Sequence, residues 1–96
     1  MSEPATPEIR DNPDRSRYEL WLDGEQVGLA TYRRSAGQIE FTHTEIDEAY
    51  GGRGLASTLI NAMLDDVPDD IRVVASCPFV ARYVETHPER QPLLDR

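Results

Sequence analysis

The stretch that decides the fold is residues 51–64, GGRGLASTLINAML, where a glycine-rich turn leads into a helix. Leu55, Leu59 and Met63 recur at helical spacing and predict one apolar stripe. Glycines at a helix start let the backbone fold tightly and let a ligand approach closely. The first N–H groups of a helix lack partners and lie at its positive end, so an anion such as a pyrophosphate fits there. A glycine-rich turn without a ligand is the alternative.

Upstream of this turn, the pattern predicts an antiparallel meander. Residues 18–22 and 25–33 form two strand-like runs, with alternating apolar side chains. They flank Asp23-Gly24, a pair that tolerates the positive φ angles of a type I′ hairpin turn. A third strand is predicted over residues 38–46.

Downstream, a strand and a second helix follow. The first helix is predicted to end near Asp66, and the β-branched run at residues 71–75 is predicted to be a buried strand. Because strand–helix–strand units form right-handed crossovers, this strand is expected to be parallel to the third one. Pro78 predicts the start of a helix that ends near Thr86. The predicted fold is α+β, with a three-stranded antiparallel meander, a helix, a parallel fourth strand and a C-terminal helix (β-β-β-α-β-α).

The first residues differ in composition from the rest. They contain Pro4, Pro7 and Pro13 among charged and small polar residues, which is typical of a flexible segment. We therefore predict a flexible tail over residues 1–16 and the domain itself over residues 17–96.

The composition excludes several classes of function. The 96 residues include 18 acidic and 10 basic side chains, for a net charge of −8, whereas a nucleic-acid binder needs a basic face. No apolar run approaches the roughly 18 residues of a membrane span, and the N-terminus lacks signal-peptide features, which predicts a cytoplasmic protein. One cysteine and two histidines can form neither an internal disulfide nor a zinc site. No metal is predicted, and the exposed sheet edges allow a monomer or a weak dimer.

The charge is unevenly distributed along the chain. Residues 49–64 contain no acidic side chain and one charge, Arg53, and residues 71–84 contain no acidic side chain but Arg72 and Arg82. In so acidic a chain, such windows favour an anion-binding site. The alternative is that both windows are core elements, where charges are scarce.

The turn and its surroundings resemble a known family. A motif R/Q-x-x-G-x-G/A at a helix start, after an antiparallel meander, is the acetyl-CoA pyrophosphate loop of the GNAT N-acetyltransferases, and residues 51–56 (GGRGLA) are similar to it. Gly51 stands where the motif has Arg or Gln. Three further blocks, residues 41–46, 77–83 and 87–89, resemble the minimal single-domain YjdJ-type branch.

This resemblance implies acetyl-CoA or coenzyme A as the cofactor and an amine as the acetyl acceptor. It implies that the cofactor is bound by Ile46, Gly51, Gly52, Arg53, Gly54, Leu55, Ala56 and Ser57. Because Gly51 lacks a side chain that could hold the loop or the phosphates, either the cofactor affinity is lower or Arg53 takes over part of that role.

Acetyl transfer to an amine needs a base. With strict alternation, one face of the third strand carries Ile39, Phe41, His43 and Glu45. A face that begins apolar and ends in two titratable groups suits a base, while a solvated strand end is the alternative. The resemblance implies that the backbone near Glu45 and Ile46 pairs with the pantetheine arm, and that Glu45 or His43 is the base, directly or through water.

Two residues of the second predicted helix are further candidates. With Pro78 at the first helical position, Cys77 is the N-cap, where free N–H groups favour a thiolate that could accept an acetyl group. The alternatives are a cysteine that lines the cleft without forming a covalent intermediate and a buried, inert cysteine. The resemblance implies that Tyr83 protonates the leaving thiolate; core packing is its alternative.

The sequence therefore predicts an acetyl-CoA-dependent N-acetyltransferase, with direct attack by the amine or transfer through Cys77. The acidic surface suits a cationic acceptor, a small amine or a lysine side chain. A non-catalytic module that binds CoA or acyl-CoA is the alternative function.

Overall fold

Five strands form one mixed sheet in the computed structural model, which describes residues 6–52 and 54–96. The strands are β1 (Glu8–Asn12), β2 (Arg17–Leu22), β3 (Glu25–Ser35), β4 (Gln38–Ile46) and β5 (Arg72–Ala75). They lie in sequence order across the sheet; β1 to β4 are antiparallel to their neighbours, and β5 is parallel to β4. The predicted α+β class, the meander and the parallel last strand are confirmed.

Three helices complete the described chain, and they are α1 (Leu55–Asp65), α2 (Pro78–Thr86) and α3 (Gln91–Leu94). Short 3-10 turns occupy Pro13–Arg15, Glu48–Tyr50 and Pro88–Arg90. Helix α1 packs against β2, β3 and β4, whereas α2 packs against β4 and β5. The apolar stripe predicted for α1 is buried, since Leu55, Leu59 and Met63 all belong to the core.

The hairpin between β2 and β3 turns at Asp23-Gly24. Both residues have positive φ angles, 50° for Asp23 and 78° for Gly24, which are those that a type I′ turn requires. The turn predicted from this dipeptide is therefore present, and it sets the register of the meander.

The chain before β2 differs from the prediction. Residues 1–16 were expected to be a flexible tail, but Glu8–Asn12 form β1, whose Ile9 lies opposite Leu20 of β2. Four of the five side chains of β1 are polar or charged, so no alternating apolar pattern marks it. Backbone pairing along a sheet edge does not need such a pattern, and charged side chains are common on edge strands.

Aromatic side chains join α1 to the sheet. The ring of Tyr18 lies 5.5 Å from that of Tyr32 and 6.5 Å from that of Phe41. The Tyr18 hydroxyl donates a 2.6 Å hydrogen bond to Asp66, the residue that ends α1. Burial, together with this hydrogen bond and the carboxylate charge of Asp66, raises the pKa of Tyr18. The contact therefore keeps a protonated tyrosine at the end of the helix and fixes α1 over the meander.

A buried carboxylate joins β1 and β2 on their other face. Glu19 is 6% exposed and accepts hydrogen bonds from Arg17 Nε at 2.8 Å, Asn12 Nδ2 at 3.1 Å and Trp21 Nε1 at 3.1 Å. Burial raises the pKa of Glu19, but these donors outweigh that effect and hold it below its ordinary value of 4.5. The carboxylate is thus satisfied as an anion, as buried charges must be.

Candidate active site

A cleft of about 260 Å³ lies between the end of β4 and the start of α1. Phe79 of α2 forms one wall of it. The complete lining is Thr44, Ile46, Tyr50, Gly52, Gly54, Leu55, Ala56, Ser57 and Phe79. Two elements that are distant in the sequence, the predicted third strand and the predicted second helix, thus meet at the glycine-rich turn.

The cleft opens where β4 and β5 part. Pairing between them ends at Phe41 and Ala75, although β4 continues to Ile46. The Cys77 N–H donates to Phe41 O at 2.9 Å, and the chain then turns into α2. In the part of the chain that the structure describes, no strand pairs with residues 42–46 on the β5 side. An extended ligand with amide groups can pair with such an edge.

The glycine turn supplies a cradle at the other end of the cleft. Gly52 and Gly54 have φ angles of 79° and 71°, and a Cβ built on either would meet nothing within 4 Å. Gly54 is the N-cap of α1, so the first N–H groups of this 11-residue helix border the cleft. Unpartnered N–H groups beside open space at a helix start fit a pyrophosphate.

The predicted cofactor-binding residues fall into three groups. Six line the cleft, namely Ile46, Gly52, Gly54, Leu55, Ala56 and Ser57. Gly51 does not line it; its N–H donates to Glu48 O at 3.2 Å within the preceding turn. Arg53 lies outside the described residues.

A β-bulge changes which side chains of β4 share a face. Thr31 of β3 pairs with His43, and Tyr32 pairs with Phe41, so Thr42 is an extra residue in β4. The Thr42 hydroxyl is 2.7 Å from that of Thr31. One inserted residue reverses the alternation beyond it. The prediction that His43 and Glu45 share a face with Ile39 and Phe41 is therefore wrong, because strict alternation cannot anticipate a bulge.

His43 and Glu45 instead lie on the solvent-facing side of β4. Their side chains are 60% and 67% exposed, and His43 Nε2 lies 3.6 Å from Glu45 Oε2. The two groups are adjacent, as predicted, but without the apolar surroundings that the sequence suggested. Glu45 lines a second cavity, of about 310 Å³, together with the acidic residues Asp47 and Glu48.

Thr44 takes the inward position that the bulge removes from His43 and Glu45. It is 3% exposed and lines the cleft, where its hydroxyl oxygen accepts a hydrogen bond from Cys77 Sγ at 3.3 Å. Cys77 is the N-cap of α2 as predicted, but its side chain makes no capping hydrogen bond and is only 1% exposed. The thiol therefore lies behind Thr44 rather than at the cleft surface.

Tyr83 does not line this cleft. Its hydroxyl donates to Asn61 Oδ1 at 2.9 Å, and its ring stacks on that of His87 at a centroid distance of 3.9 Å. The residue is 9% exposed and belongs to the core between α1 and α2. It borders a neighbouring cavity of about 180 Å³ that shares Ala56, Ser57 and Phe79 with the cleft.

The described part of the chain contains neither a metal-binding cluster nor a membrane-spanning helix. Among residues 6–52 and 54–96, no group of three histidine, cysteine or acidic side chains could hold a metal ion. None of the helices in these ranges is long and apolar enough to cross a membrane.

Comparison with known proteins decides the family. A family model for the GCN5-related N-acetyltransferases matches residues 17–93. The chain belongs to this family. As a GCN5-related N-acetyltransferase domain, it is 38% identical over 90 residues to Protein NATD1 of Mus musculus, which covers 88% of this chain and 82% of the relative. It is 38% identical over 99 residues to Protein NATD1 of Bos taurus (94% and 88%) and 34% identical over 97 residues to that of Xenopus tropicalis (88% and 83%).

Two residues of this N-acetyltransferase domain were missed by sequence reasoning. Thr44 was overlooked because only the bulge brings its hydroxyl into the cleft. Phe79 is 57% exposed, the one large apolar side chain that the structure describes as exposed. The sequence analysis assigned it no role of its own, and the structure places it in the first turn of α2 on the wall of the cleft.

Proposed function

We propose that the protein transfers the acetyl group of acetyl-CoA to an amine by direct attack. The observation that carries this proposal is the cleft that joins the unpaired edge of β4 to the first turn of α1. One end offers backbone groups to an extended amide-bearing chain, and the other offers helix N–H groups to phosphates. Acetyl-CoA carries both features in one molecule and supplies an acetyl group activated as a thioester.

Different residues of the cleft would bind different parts of this cofactor. Gly52 and Gly54 leave room for the pyrophosphate, whose charge the N–H groups of Ala56 and Ser57 at the start of α1 would balance. Ile46 and Phe79 provide apolar walls for the pantetheine arm. Arg53, from its position in the sequence, adds a positive charge to a turn that has no acidic residue.

Glu45 is our candidate for the base. It lies on the face of β4 opposite Thr44, beside the gap left where β5 ends. Through this gap, an amine on the Glu45 side of β4 can attack a thioester that is bound on the helix side. As the N–C bond forms and the C–S bond breaks, a proton of the amine passes to Glu45, directly or through water, and the leaving thiolate is protonated by solvent. His43 lies beside this carboxylate, with its Nε2 atom 3.6 Å from Glu45 Oε2.

Thr44 is our candidate for the group that stabilises developing negative charge. Cys77 Sγ donates to the Thr44 hydroxyl oxygen, so the Thr44 hydrogen stays available for an acceptor in the cleft. An aimed O–H donor in a shielded cleft stabilises an oxyanion. In this scheme Cys77 orients Thr44 and forms no acetyl thioester, and Tyr83 holds α1 and α2 together through Asn61 rather than acting as an acid.

The acceptor that we propose is a cationic amine. Glu45, Asp47 and Glu48 line the cavity on the acceptor side, and the chain as a whole carries a net charge of −8. Both favour the approach of a polyamine or lysine side chain. We further propose that the chain belongs to the minimal YjdJ-type branch, acts as a monomer or a weak dimer, and is cytoplasmic, in line with its single free cysteine.

Chemical-shift mapping with CoA tests the placement of the cofactor. We expect the largest amide shifts at Ile46 and at residues 52–57, with β1 unaffected. A titration in which the Asp23-Gly24 turn shifts most would show that the cleft is wrongly assigned. Binding with these shifts, but without thiol release for any amine in a panel of polyamines and lysine peptides, would support a CoA-binding module instead.

A further inference from the structure

Strand β5 is the last strand of the sheet, and among residues 6–52 and 54–96 no strand pairs with its outer edge. A groove of about 410 Å³ runs along this edge. Its walls are the four residues of β5, with Ala81, Val84 and Glu85 of α2 and Gln91 and Leu94 of α3. The groove shares no residue with the cleft or with the cavity on the acceptor side. The proposed reaction therefore gives it no role.

Backbone groups of β5 point outward along this edge. The Arg72 N–H donates to Gly37 O at 3.0 Å, on the β4 side. Since successive backbone groups of a strand point in opposite directions, the N–H and C=O groups of Val73 and Ala75 point away from β4, toward the groove. Charged side chains often protect such an edge, but Val73, Val74 and Ala75 carry no charge. The edge can therefore pair with an extended chain.

Opposite charges flank the two ends of this edge. Arg72, at the start of β5, donates from Nη2 to Gln38 Oε1 at 2.8 Å. Glu40 of β4 accepts a 2.5 Å hydrogen bond at Oε2 from the hydroxyl of Ser76, which follows the end of β5. Arg72, Glu40 and Ser76 lie on the face of the sheet away from the helices, because the residues next to them along the chain belong to the core. The edge is therefore positive at its start and negative at its end.

A second copy of the chain matches both the backbone and the charges of this edge. When two β5 strands pair antiparallel about a twofold axis at Val74, Val73 of each copy lies opposite Ala75 of the other. Their outward N–H and C=O groups then form hydrogen bonds across the axis, with the helices of both copies on the same side of the sheet. The same register places Arg72 of each copy opposite Ser76 of the other, next to the Glu40 carboxylate. Two equivalent ion pairs thus flank the paired strands.

We infer that the outer edge of β5 is a self-association surface, through which two copies form an antiparallel dimer with one continuous sheet. The inference specifies the weak dimer of the proposed function and does not depend on acetyl transfer. Because the two β5 strands run in opposite directions, the two clefts, each at the end of a β4 strand, open toward opposite ends of the joined sheet and stay free. An interface built on one pair of short strands belongs to the smallest size class, so we expect a dissociation constant of about 10–500 µM.

Sedimentation equilibrium and hydrogen exchange, both measured at about 10 µM and about 1 mM protein, test this surface. We expect a reversible dimer at the higher concentration. The amides of Val73 and Ala75 should then exchange more slowly, whereas the amide of Val74, which faces β4, should not change. A protein that stays monomeric at the higher concentration would overturn the inference, as would a dimer whose Val73 and Ala75 amides stay unprotected. Oligomers that grow without limit and protect the amides of β1 would also overturn it, because β5 would then pair with β1 of the next copy.

Charge reversals test the register of the two strands. Arg72→Glu places a second negative charge beside Glu40 at both ends of the interface, so we expect it to weaken the dimer about 5- to 30-fold. Glu40→Arg should weaken the dimer similarly, and the double variant should regain most of the lost affinity. A double variant that dimerises as weakly as the single ones would overturn this register.

Arg15→Glu is the matched control. It changes the net charge by the same amount, but Arg15 ends the turn beside β1, at the opposite edge of the sheet. We expect it to leave the dissociation constant within about twofold, and a loss as large as that of Arg72→Glu would contradict a specific contact. Equal melting temperatures of the variants would exclude a folding defect. Arg72→Glu should still bind CoA, so a failure of the dimer and a failure of the proposed function are separate results.

Discussion

Replacing Gly28 by alanine tests how tightly β3 packs against β4, the strand whose end borders the cleft. Gly28 pairs with Ile46 of β4. A Cβ built on it would lie 2.6 Å from Ile46 Cδ1, 3.0 Å from Glu45 O and 3.5 Å from Leu20 Cβ. The Ile46 methyl group can rotate away, but the Glu45 carbonyl oxygen is backbone and moves only with the strand. The substitution therefore displaces β4 at Glu45 and Ile46, two residues of the candidate site.

Two opposing effects set the size of the change. Overpacking of this kind destabilises a protein by about 1–3 kcal/mol. Replacing glycine by alanine at a compatible φ angle stabilises by about 0.4–1 kcal/mol, because the unfolded chain loses conformational freedom. We therefore expect Gly28→Ala to lower the free energy of unfolding by about 1–2 kcal/mol, or the melting temperature by roughly 4–8 °C per kcal/mol. Urea and thermal unfolding measure both.

A double-mutant cycle with Ile46→Val shows whether the contact is the cause. Valine lacks the Cδ1 atom, so Ile46→Val should relieve the clash. Its effect on the free energy of unfolding should be more favourable by at least about 0.5 kcal/mol in the Gly28→Ala background than in the unaltered protein. Gly37→Ala is the control: its Cβ would meet nothing within 4 Å, and its cost comes from a φ angle of 74°. That variant should show no coupling to Ile46→Val. A Gly28→Ala protein as stable as the unaltered one, with effects that simply add, would refute the steric argument.

Three further predictions concern the chemistry and the charges. Glu45→Gln should lower the acetyl-transfer rate about 10²- to 10⁴-fold, as expected for loss of a general base. Cys77→Ala should change the rate little. An acetylated Cys77 peptide together with an inactive Cys77→Ser variant would show the covalent route instead. Arg53→Glu should weaken CoA binding by about 1–3 kcal/mol in calorimetry, and an unchanged affinity would contradict an electrostatic role for this turn. Glu19→Gln should lower the free energy of unfolding at pH 7. The difference from the unaltered protein should shrink as the pH falls below about 4.5, because the pKa of Glu19 is lower in the folded protein and its stabilisation is lost when the carboxylate is protonated. A difference that stays constant between pH 7 and pH 3 would contradict this.

The sequence predicted the fold where local patterns and packing agree. The stripe of α1, the Asp23-Gly24 turn and the proline at the start of α2 each have a local physical cause, and all three are present. The strand β1 had no such signal. Its pairing with β2 depends on backbone hydrogen bonds between segments that the Pro13–Arg15 turn brings together, and its side chains are mostly charged.

The site was predicted in its parts but not in its arrangement. The glycine turn lies where the sequence indicated, because glycines and a helix start are local features. The faces of β4 were assigned wrongly beyond Phe41, since the extra residue Thr42 shows itself only through pairing with β3. Thr44 and Phe79 matter because they line one cleft together with residues of other elements, and one strand or helix read alone does not show those neighbours.

The unequal lengths of β4 and β5 also affect the tendency of the protein to aggregate in solution. Within the part of the chain that the structure describes, no strand covers the backbone groups of residues 42–46 that face the β5 side. Another extended chain can pair with such an open sheet edge. Charged side chains are frequent along β1 at the opposite edge, whereas on this edge Glu45 carries a charge on the solvent-facing side only and Thr44 and Ile46 carry none. A bound pantetheine arm would occupy the edge in place of a foreign strand. We therefore expect the amide hydrogens of this segment to exchange more slowly with CoA present, and the CoA-bound protein to withstand concentration and heat with less aggregation.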